Sequence, residues 1–500
     1  MDTSDRIVHL LRRSGFAAAP EDIERGIAQG LEHTVEALVE FEQASEIDLI
    51  VHGLDVDSPR PPPRFLETLQ IWWLKTMVST TRPLQEKMVL FWHDLFATSK
   101  DGVKDVRQMY LQNQNFRGNF NPDTGRIINA EPDNPFPVGN FQQMLVYLTK
   151  DPAMLYWLDN RLNRRLNDEV GGNENYAREL HELFSMGAED AVARVPNYTE
   201  RDVRQAARAL TGWTVNTRLD ERNNFPRTFR FDAERHDPGP YEHLGHVGGD
   251  NADFIFQNIV THRHPGQRQS AVGRFLGFRL FSFFGYENPE PEIVNALAGV
   301  FDGANGEAPY EIRSMLRTLF MPGNPVSEAF YSEQAFRAHV KSPAEYLVGT
   351  VTLLKPSKLD WEEPHTKAFV THSLQNMGQT LFRPPNVNGW REGLGWMNAS
   401  LAMARFNFAN ALTSGPRKDD PLFDVSAFLE RNDLQEASSE EMVDAVTLLL
   451  LQAPVSDHAR QMLVDYMNAP IRVLDHAERL NIKVRGLIHL IMCMPRYQLS

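Results

Sequence analysis

Two glutamates three residues apart, Glu179 and Glu182, stand in the sequence NENYARELHELFSMG. A helix over residues 173–187, at about 100° per residue, places them on one flank. Two carboxylates on one helix flank are how helical bundles present oxygen ligands to a metal. The alternative is a salt-bridged flank, in which Arg178 pairs with a glutamate one turn away. We expect both carboxylates to face the interior and His181 to be more exposed than either.

A histidine and an aspartate, His93 and Asp94, lie next to each other in the apolar run PLQEKMVLFWHDLFATS. A helix that is apolar nearly all round is buried, so both polar side chains need partners inside the protein. His93 is either a metal ligand or a core histidine with satisfied nitrogens. A buried aspartate such as Asp94 must either pair with another group or bind a metal ion. We treat it as a candidate catalytic group, either a general base or a residue that orients a ligand.

A third polar pair, His236 and Asp237, precedes a Pro-Gly turn in RHDPGP. Such a turn either places the two polar side chains at the rim of a site or leaves them exposed to solvent in a surface turn. Asp237 is the second candidate catalytic group. The candidate metal ligands are His93, Glu179, Glu182 and His236. Nitrogen and carboxylate ligands suit Fe, Mn or Zn. Because ligands lie about 2 Å from a metal, we expect all four side chains within about 10 Å of a common point.

Two tryptophans, Trp390 and Trp396, stand in the rigid segment RPPNVNGWREGLGW. Their aromatic faces could stack on a sugar or a peptide, which makes them candidate substrate contacts, or they could pack the loop itself. The sequence has no phosphate-binding glycine loop, no Gly-x-Ser-x-Gly and no His-Glu-x-x-His. It also has one cysteine, Cys493, which excludes an intramolecular disulfide and a cysteine-based metal cluster.

The overall charge restricts the class of partner. Lys and Arg number 51 and Asp and Glu 66 in 500 residues, a formal net charge of −15. A chain this acidic is not expected to bind nucleic acid through bulk charge. No apolar run approaches the roughly 18 residues of a membrane span, and the first residues lack the apolar core of a signal peptide. We therefore expect a cytoplasmic protein, with export beside a signal-bearing partner left open.

Helical periodicity dominates the elements that must position these residues. Ser342, Pro343 and Glu345 form a complete helix start, and Pro83 is placed as a first-turn proline. Strand signals are sparse, and RTFRFDAERH is the best of them. The sequence therefore predicts a mainly α protein, a multi-helix globular bundle with at most a minor β-hairpin.

Proline- and glycine-rich stretches divide the chain. They fall at 57–64, which is a stiff proline-rich connector, at a long loop over 117–140, and at 413–421. We expect a main helical domain over 1–412 and a C-terminal helical subdomain over 422–500.

Six fragments in this order resemble a known family: MVLFWHDLFATS, NENYARELHELFSMG, YTERDVRQAARALTGWTV, FRFDAERHDPG, KSPAEYL and MGQTLFRPPNVNGWREGLGWMN. Together they are similar to the bacterial family catalogued as domain of unknown function 1800, over nearly the whole chain. The resemblance implies a largely helical fold. It also implies a neighbouring protein of the family called domain of unknown function 1501, which resembles the phosphatase and sulfatase fold. This chain departs from the family pattern at Leu95, where a second histidine is common, and at Tyr241 and Glu242, where a lysine often follows.

Three functions remain open at this stage. The ligand set favours a metal-dependent enzyme, and carboxylate-rich helical sites suit the iron of an oxidoreductase. A metal-dependent hydrolase fits the same ligands. The third alternative is a non-catalytic partner or scaffold for the phosphatase-like protein encoded nearby.

Overall fold

The structure is a computed structural model that describes residues 1–41, 65–128, 131–165, 172–217, 225–304, 306–414, 422–472 and 475–500. The proline-rich connector predicted at 57–64 lies outside the described residues. So do most of the predicted break at 413–421 and two residues of the predicted loop at 117–140.

The described chain is mainly helical, as predicted. Its first eleven α-helices are α1 Thr3–Ser14, α2 Pro20–Gln29, α3 Leu31–Val39, α4 Phe65–Ser79, α5 Pro83–Leu95, α6 Arg107–Phe116, α7 Phe141–Lys150, α8 Pro152–Trp157, α9 Asn175–Glu182, α10 Glu200–Ala209 and α11 Ala252–Thr261. The other eleven are α12 Ala271–Phe284, α13 Pro291–Phe301, α14 Ile312–Phe320, α15 Pro325–Phe330, α16 Pro343–Leu354, α17 Pro364–Asn376, α18 Ala399–Ser414, α19 Val425–Arg431, α20 Ser439–Leu451, α21 Asp457–Asn468 and α22 His476–Cys493.

The strands within the described ranges form two small antiparallel sheets of two strands each. The first pairs β1, Trp213–Val215, with β2, Phe229–Phe231, and the second pairs β3, Tyr241–His243, with β4, His246–Gly248. The tight turn between β3 and β4 uses Leu244 and Gly245, whose φ angles are 51° and 82°. Two left-handed residues in a two-residue loop match the right-handed twist of a hairpin.

Local sequence signals determine where several helices begin. Helix α16 starts with a reciprocal capping box in which the Ser342 hydroxyl accepts from the Glu345 N–H and the Glu345 side chain accepts from the Ser342 N–H. Helix α5 starts at Pro83, whose missing N–H costs no hydrogen bond in a first turn. These predicted starts are confirmed.

Helix α5 runs through the middle of one continuous hydrophobic core that extends from Ile7 to Tyr497. Even its charged residues are buried: the Glu86 carboxylate accepts two hydrogen bonds from the Arg117 guanidinium, and their side chains are 2% and 0% exposed. Because this core includes residues on both sides of 413–421, the division into a main domain and a C-terminal subdomain stays a prediction. The buried α5 carries His93 and Asp94 at its C-terminal end.

Candidate functional site

A cavity of about 80 Å³ lies where the C-terminal end of α5 meets the loop after α17. We call it the Asp94 cavity. Its polar and aromatic lining residues are Arg13, Asp94, Ser282, Glu287, His339, Ser342, Glu345, Gln379, Glu392 and Trp396. These residues come from α1, α5, α12, α16 and the connecting loops, so the cavity forms only where distant segments of the chain meet. A buried water needs roughly 10–15 Å³ measured this way, which gives room for about six water molecules.

The 382–396 loop is built against Asp94. The Trp390 N–H donates to Asp94 Oδ1 at 2.8 Å. Gly389 has a φ of 76°, and a Cβ there would lie 2.3 Å from Asp94 Oδ1. Only glycine therefore allows the loop backbone to approach the carboxyl group this closely.

Asp94 and Glu392 form a carboxyl pair that shares a hydrogen bond. Burial, and after it the nearby Glu392 carboxylate, raises the pKa of Asp94 from 3.8 to about 7. The Arg279 Nη2 donates to the half-exposed Glu392 Oε1 at 3.2 Å. Asp94 therefore keeps its proton up to about pH 7, and the neighbouring Glu392 lies against a guanidinium.

Two buried polar atoms of the lining, Ser282 Oγ and His339 Nε2, have no partner within the described residues. Gln379 is only 3% exposed, and its Oε1 accepts from the Ala344 N–H at 2.9 Å. Buried polar groups are normally satisfied, so the two atoms without a partner favour a polar occupant of the cavity.

Two charged residues of the cavity lining, Arg13 and Glu345, have partners inside the protein. Each nitrogen of the Arg13 guanidinium donates to the protein: to the Phe284 carbonyl at 2.7 Å, to the Phe283 carbonyl at 2.5 Å and to the Ser500 hydroxyl. Although burial alone would raise it, the Lys87 ammonium and the Arg13 guanidinium hold the pKa of Glu345 at about 2. Arg13 and Glu345 are therefore both held by partners inside the protein.

The predicted substrate tryptophans lie at this site. Trp390 and Trp396 are each 7% exposed and pack with Val340 in a small apolar cluster of their own. Trp396 forms part of the cavity wall, whereas the Trp390 ring packs at a tilt against His93, with ring centroids 5.3 Å apart. The structure thus brings Asp94 and Trp396, two of the residues chosen from the sequence, to one cavity.

His93 has the environment of a core histidine. Its Nε2 accepts from the Phe382 N–H at 3.0 Å, and its ring packs edge-on against Trp73 at 5.0 Å. Burial lowers the pKa of His93 to about 3, so the ring is neutral. With Nε2 bound to the backbone of the 382–396 loop, His93 holds that loop against α5.

The expected orientation of α9 is wrong. His181 is 0% exposed, while Glu179 and Glu182 are only partly buried. The helix ends at Glu182 rather than at residue 187, and its buried residues Tyr176, Ala177, Leu180 and His181 place the core face about 45° from the expected one at 100° per residue. The apolar residues after Glu182, which set the expected phase, are not part of the helix.

Two buried histidines, His181 and His243, form the polar contact of α9 with the interior that we expected the two glutamates to make. His181 Nδ1 donates to the Ala177 carbonyl at 2.6 Å, and the Nε2 atoms of His181 and His243 are 2.8 Å apart. Because the Ala177 carbonyl can only accept, neutral His181 offers its Nε2 lone pair to the His243 Nε2–H. Burial lowers the pKa of both histidines, so the neutral pair joins α9 to β3.

The remaining candidates have separate partners. Glu182 accepts from the Tyr198 hydroxyl at 3.0 Å. His236 Nδ1 lies 2.8 Å from the Thr211 carbonyl. Asp237 forms a bidentate ion pair with Arg208, with distances of 2.8 and 3.0 Å. An aspartate paired in this way is held as a carboxylate in a structural turn.

The four candidate metal ligands do not meet. Across the described ranges, no three His, Cys, Asp or Glu side chains are arranged as a group that could hold a metal ion. His93 binds the 382–396 loop, the two glutamates flank α9, and His236 binds the segment after α10. The predicted ligand set is therefore not formed in this structure, and a metal site stays a prediction.

Glu287, Gln379 and Glu392 were not among the residues chosen from the sequence. Glu392 lies between the two tryptophans in the same rigid segment, and that proximity is the one signal that could have found it. Glu287 and Gln379 stand in ordinary polar surroundings. Nothing in the sequence shows that they reach the same cavity.

Comparison with known families completes the description of the site. The model of a family described as protein of unknown function (DUF1800) matches residues 9–499. The chain belongs to this family. The DUF1800 match spans every residue that lines the Asp94 cavity, from Arg13 to Trp396. Neither the comparison with curated proteins nor the one with solved structures returned a match. No helix in the described part of this DUF1800 chain is long and apolar enough to cross a membrane.

Proposed function

We propose that this protein is a hydrolase of small polar molecules in which Asp94 and Glu392 are the general acid and the general base. The observation that carries the proposal is the carboxyl pair in the Asp94 cavity, where Asp94 is buried beside Glu392 with its pKa raised to about 7 and the Arg279 guanidinium donates to Glu392. Pairs of carboxyl groups whose environments separate their pKa values are the usual acid and base of hydrolytic sites.

The proposed reaction needs only the groups around the cavity. The Glu392 carboxylate takes a proton from a water molecule, and the water oxygen attacks the substrate. The Asp94 carboxyl group gives its proton to the leaving group as the scissile bond breaks. The hydrogen bond between the two carboxyl groups then returns a proton from Glu392 to Asp94. General acid and base groups each contribute about 10²–10⁴-fold to a rate.

The shape of the site supports a small substrate or the small end of a larger one. The cavity holds about six non-hydrogen atoms if each takes the space of a water. Glu287 and Glu392 are the exposed members of the lining, so the opening is on their side. Trp396 offers an aromatic wall on which an apolar part of the substrate can pack.

The first test compares the wild type with Asp94→Asn on panels of small chromogenic esters, amides and glycosides. We expect one class to be hydrolysed by the wild type and at least about 100-fold more slowly by the variant. Asparagine keeps the acceptor for the Trp390 N–H, so the loop should stay in place. The matched control is Glu430→Gln, which removes one negative charge from an exposed residue of α19 and should retain the wild-type rate.

A second measurement does not depend on finding a substrate. Infrared spectra at pH 6 should show the carbonyl bands of protonated, buried carboxyl groups, Asp151 included, and Asp94→Asn should remove the component that belongs to Asp94. Glu430→Gln should keep it. Equal hydrolysis rates for the wild type and Asp94→Asn, or an unchanged band in the variant, would refute the proposal.

A metal-dependent oxidoreductase or hydrolase at Glu179 and Glu182 is the second proposal. Burial and the neighbouring Glu182 raise the pKa of Glu179, so a divalent cation such as Fe, Mn or Zn would relieve the repulsion between the two carboxylates. Elemental analysis of protein purified without added metal tests it. We expect bound metal in the wild type and less in Glu179→Gln, and a wild type without metal would contradict it.

A non-catalytic role beside a phosphatase-like partner, and a cytoplasmic location, are kept as alternative proposals. A scaffold needs no proton transfer. Asp94→Asn would then leave the capture of the partner unchanged and neither protein would hydrolyse a substrate, which separates the scaffold from the hydrolase.

A further inference from the structure

We infer that the substrate of the Asp94 cavity is a neutral carboxamide, and that His339 selects it by accepting a hydrogen bond from its N–H group. This inference rests on the proposed function. It starts from a ring nitrogen in the cavity wall: His339 Nε2 is buried and has no partner among the described residues. Because buried polar atoms are normally satisfied, this nitrogen is available to a bound molecule.

The other ring nitrogen of His339 determines what Nε2 can do. The ring hydrogen-bonds to the backbone of Gly285, and because Nε2 is without a partner, this bond belongs to Nδ1. The bond favours the protonated ring, as a carbonyl acceptor does, but burial and the nearby Arg13 guanidinium outweigh it and lower the pKa of His339 to about 3. The neutral ring therefore carries its proton on Nδ1 and presents the Nε2 lone pair to the cavity.

The backbone around His339 fixes the place of the ring. The His339 carbonyl accepts from the Ser500 N–H at 2.9 Å, and Val340 forms an antiparallel bridge with Leu499. The imidazole is thus held by a backbone bond as well as by its own Nδ1. A rigidly held acceptor discriminates between ligands, because a molecule without a donor at that point leaves it unpaired.

Most charges of the lining compensate one another. The Lys87 ammonium forms an ion pair with Glu345. The Arg279 guanidinium donates to Glu392 at 3.2 Å. Asp94 is neutral below about pH 7, because burial raises its pKa to that value.

Arg13 and Glu287 complete the charged lining. Each nitrogen of the Arg13 guanidinium already donates to the protein. Glu287 is an exposed residue, so water screens its charge. An ion inside the cavity would lose its water without gaining a free partner of opposite charge, so the lining favours a neutral ligand.

A second free atom, Ser282 Oγ, complements His339. This hydroxyl also lines the cavity without a partner among the described residues, and it can donate as well as accept. A carboxamide has N–H donors for the imidazole and a carbonyl oxygen for the hydroxyl. Acetamide has only four non-hydrogen atoms, which fit a cavity with room for about six waters. An ester or a glycoside has no donor at the bond that breaks, so His339 disfavours both.

The reaction balances with water as the only co-substrate. Glu392 takes one proton of the water molecule whose oxygen bonds to the carbonyl carbon. The C–N bond then breaks, its electron pair stays on nitrogen, and the nitrogen takes the proton of Asp94, which gives ammonia and a carboxylic acid. The proton on Glu392 returns to Asp94 through their shared hydrogen bond. Because the N–H bonds lie in the amide plane, the bond to His339 orients that plane and leaves the nitrogen lone pair free to take the proton.

The first measurement is the binding of three molecules of the same size: acetamide, which is neutral, acetate and acetamidinium. Titration of the full chain at pH 6 by saturation-transfer NMR gives a dissociation constant for each. We expect acetamide to bind at least tenfold more tightly than either ion. His339→Asn should weaken acetamide binding about tenfold, because asparagine can keep the donor for Gly285 and lacks the Nε2 acceptor. Glu430→Gln should change nothing.

The second measurement compares kcat/KM for acetamide and for methyl acetate. His339→Asn should lower the amide value about tenfold and leave the ester value unchanged, which a purely structural role would not do. Acetate or acetamidinium binding as tightly as acetamide would overturn the inference, and so would an equal loss on both substrates. Ester hydrolysis that depends on Asp94, without acetamide binding, would overturn the carboxamide and leave the hydrolase standing. Acetamide binding that depends on His339, without hydrolysis of any substrate class, would keep the carboxamide site and refute the hydrolase.

Discussion

Replacing Asp94 with asparagine should stabilise the protein, and more so as the pH rises. In the folded chain burial raises the pKa of Asp94 to about 7, whereas in the unfolded chain it returns to 3.8. Below pH 3.8 the group is protonated in both states and contributes nothing. Between these values only the unfolded chain gains by ionising, and above pH 7 the folded chain must hold a buried carboxylate. Asparagine keeps the bond from the Trp390 N–H and removes the ionisation.

The size of the effect follows from the shift. A difference of 7 − 3.8, about 3 pKa units at 1.36 kcal/mol each, gives an upper limit of about 4 kcal/mol at pH 8 and about 1.5 kcal/mol at pH 5. Water in the cavity screens part of it, so the measured values should be smaller. An unfolding entropy of about 2.1 cal/mol/K per residue amounts to about 1 kcal/mol/K for 500 residues. The melting temperature should therefore rise by up to about 4 °C at pH 8 and by about 1 °C at pH 5.

Calorimetric melting of the wild type, Asp94→Asn and Glu430→Gln at pH 5, 6, 7 and 8 measures this difference. Glu430 is exposed, so its variant should follow the wild type at every pH. A melting difference for Asp94→Asn that does not change with pH would refute the raised pKa. A variant that becomes less stable than the wild type as the pH rises would show that the carboxylate is paired in the folded protein.

Three further predictions concern other parts of the chain. Burial lowers the pKa of His181 and His243, so the neutral pair stabilises the fold fully above the ordinary pKa of 6.5 and less as the pH falls. Amide exchange in the β3–β4 hairpin should therefore be faster at pH 5 than at pH 7, and equal rates would contradict this. Glu86→Gln leaves Arg117 buried without its charge partner and should cost about 3–5 kcal/mol, or about 3–5 °C in melting temperature; an unchanged melting curve would contradict it. Gly389→Ala introduces a Cβ at a φ of 76° and 2.3 Å from Asp94 Oδ1 and should lower the melting temperature, and an unchanged melting curve would show that the loop can shift.

Short-range signals in the sequence predicted the elements well. The starts of α5 and α16 follow from Pro83 and from the Ser342–Glu345 capping box, because both signals act within one turn of helix. The segment RTFRFDAERH contains β2 as expected. The orientation of α9 was not predictable in the same way, because it depends on where the helix ends and on the distant His243 that meets His181.

The candidate site was predicted only in part, and the reason is physical. Asp94 could be chosen because an aspartate in an apolar helix needs a partner. Its partners were not visible, since the Trp390 N–H and the Glu392 carboxyl group follow it by nearly 300 residues. His93, chosen on the same argument, proved to be bound to a backbone N–H, which leaves no trace in a sequence.

The way in which the fold holds Asp94 inside the cavity argues for function more strongly than any single residue of the cavity does. A carboxyl group whose pKa is raised by burial lowers the stability of the fold, and an apolar residue at the same place would avoid that cost. The chain instead uses a left-handed glycine, Gly389, and the Trp390 N–H to hold Asp94 beside Glu392. Buried Arg117 and Glu86, by contrast, form an ion pair with each other. A fold that can pair its buried charges in one place and leaves a carboxyl pair around a polar cavity in another is expected to use that pair.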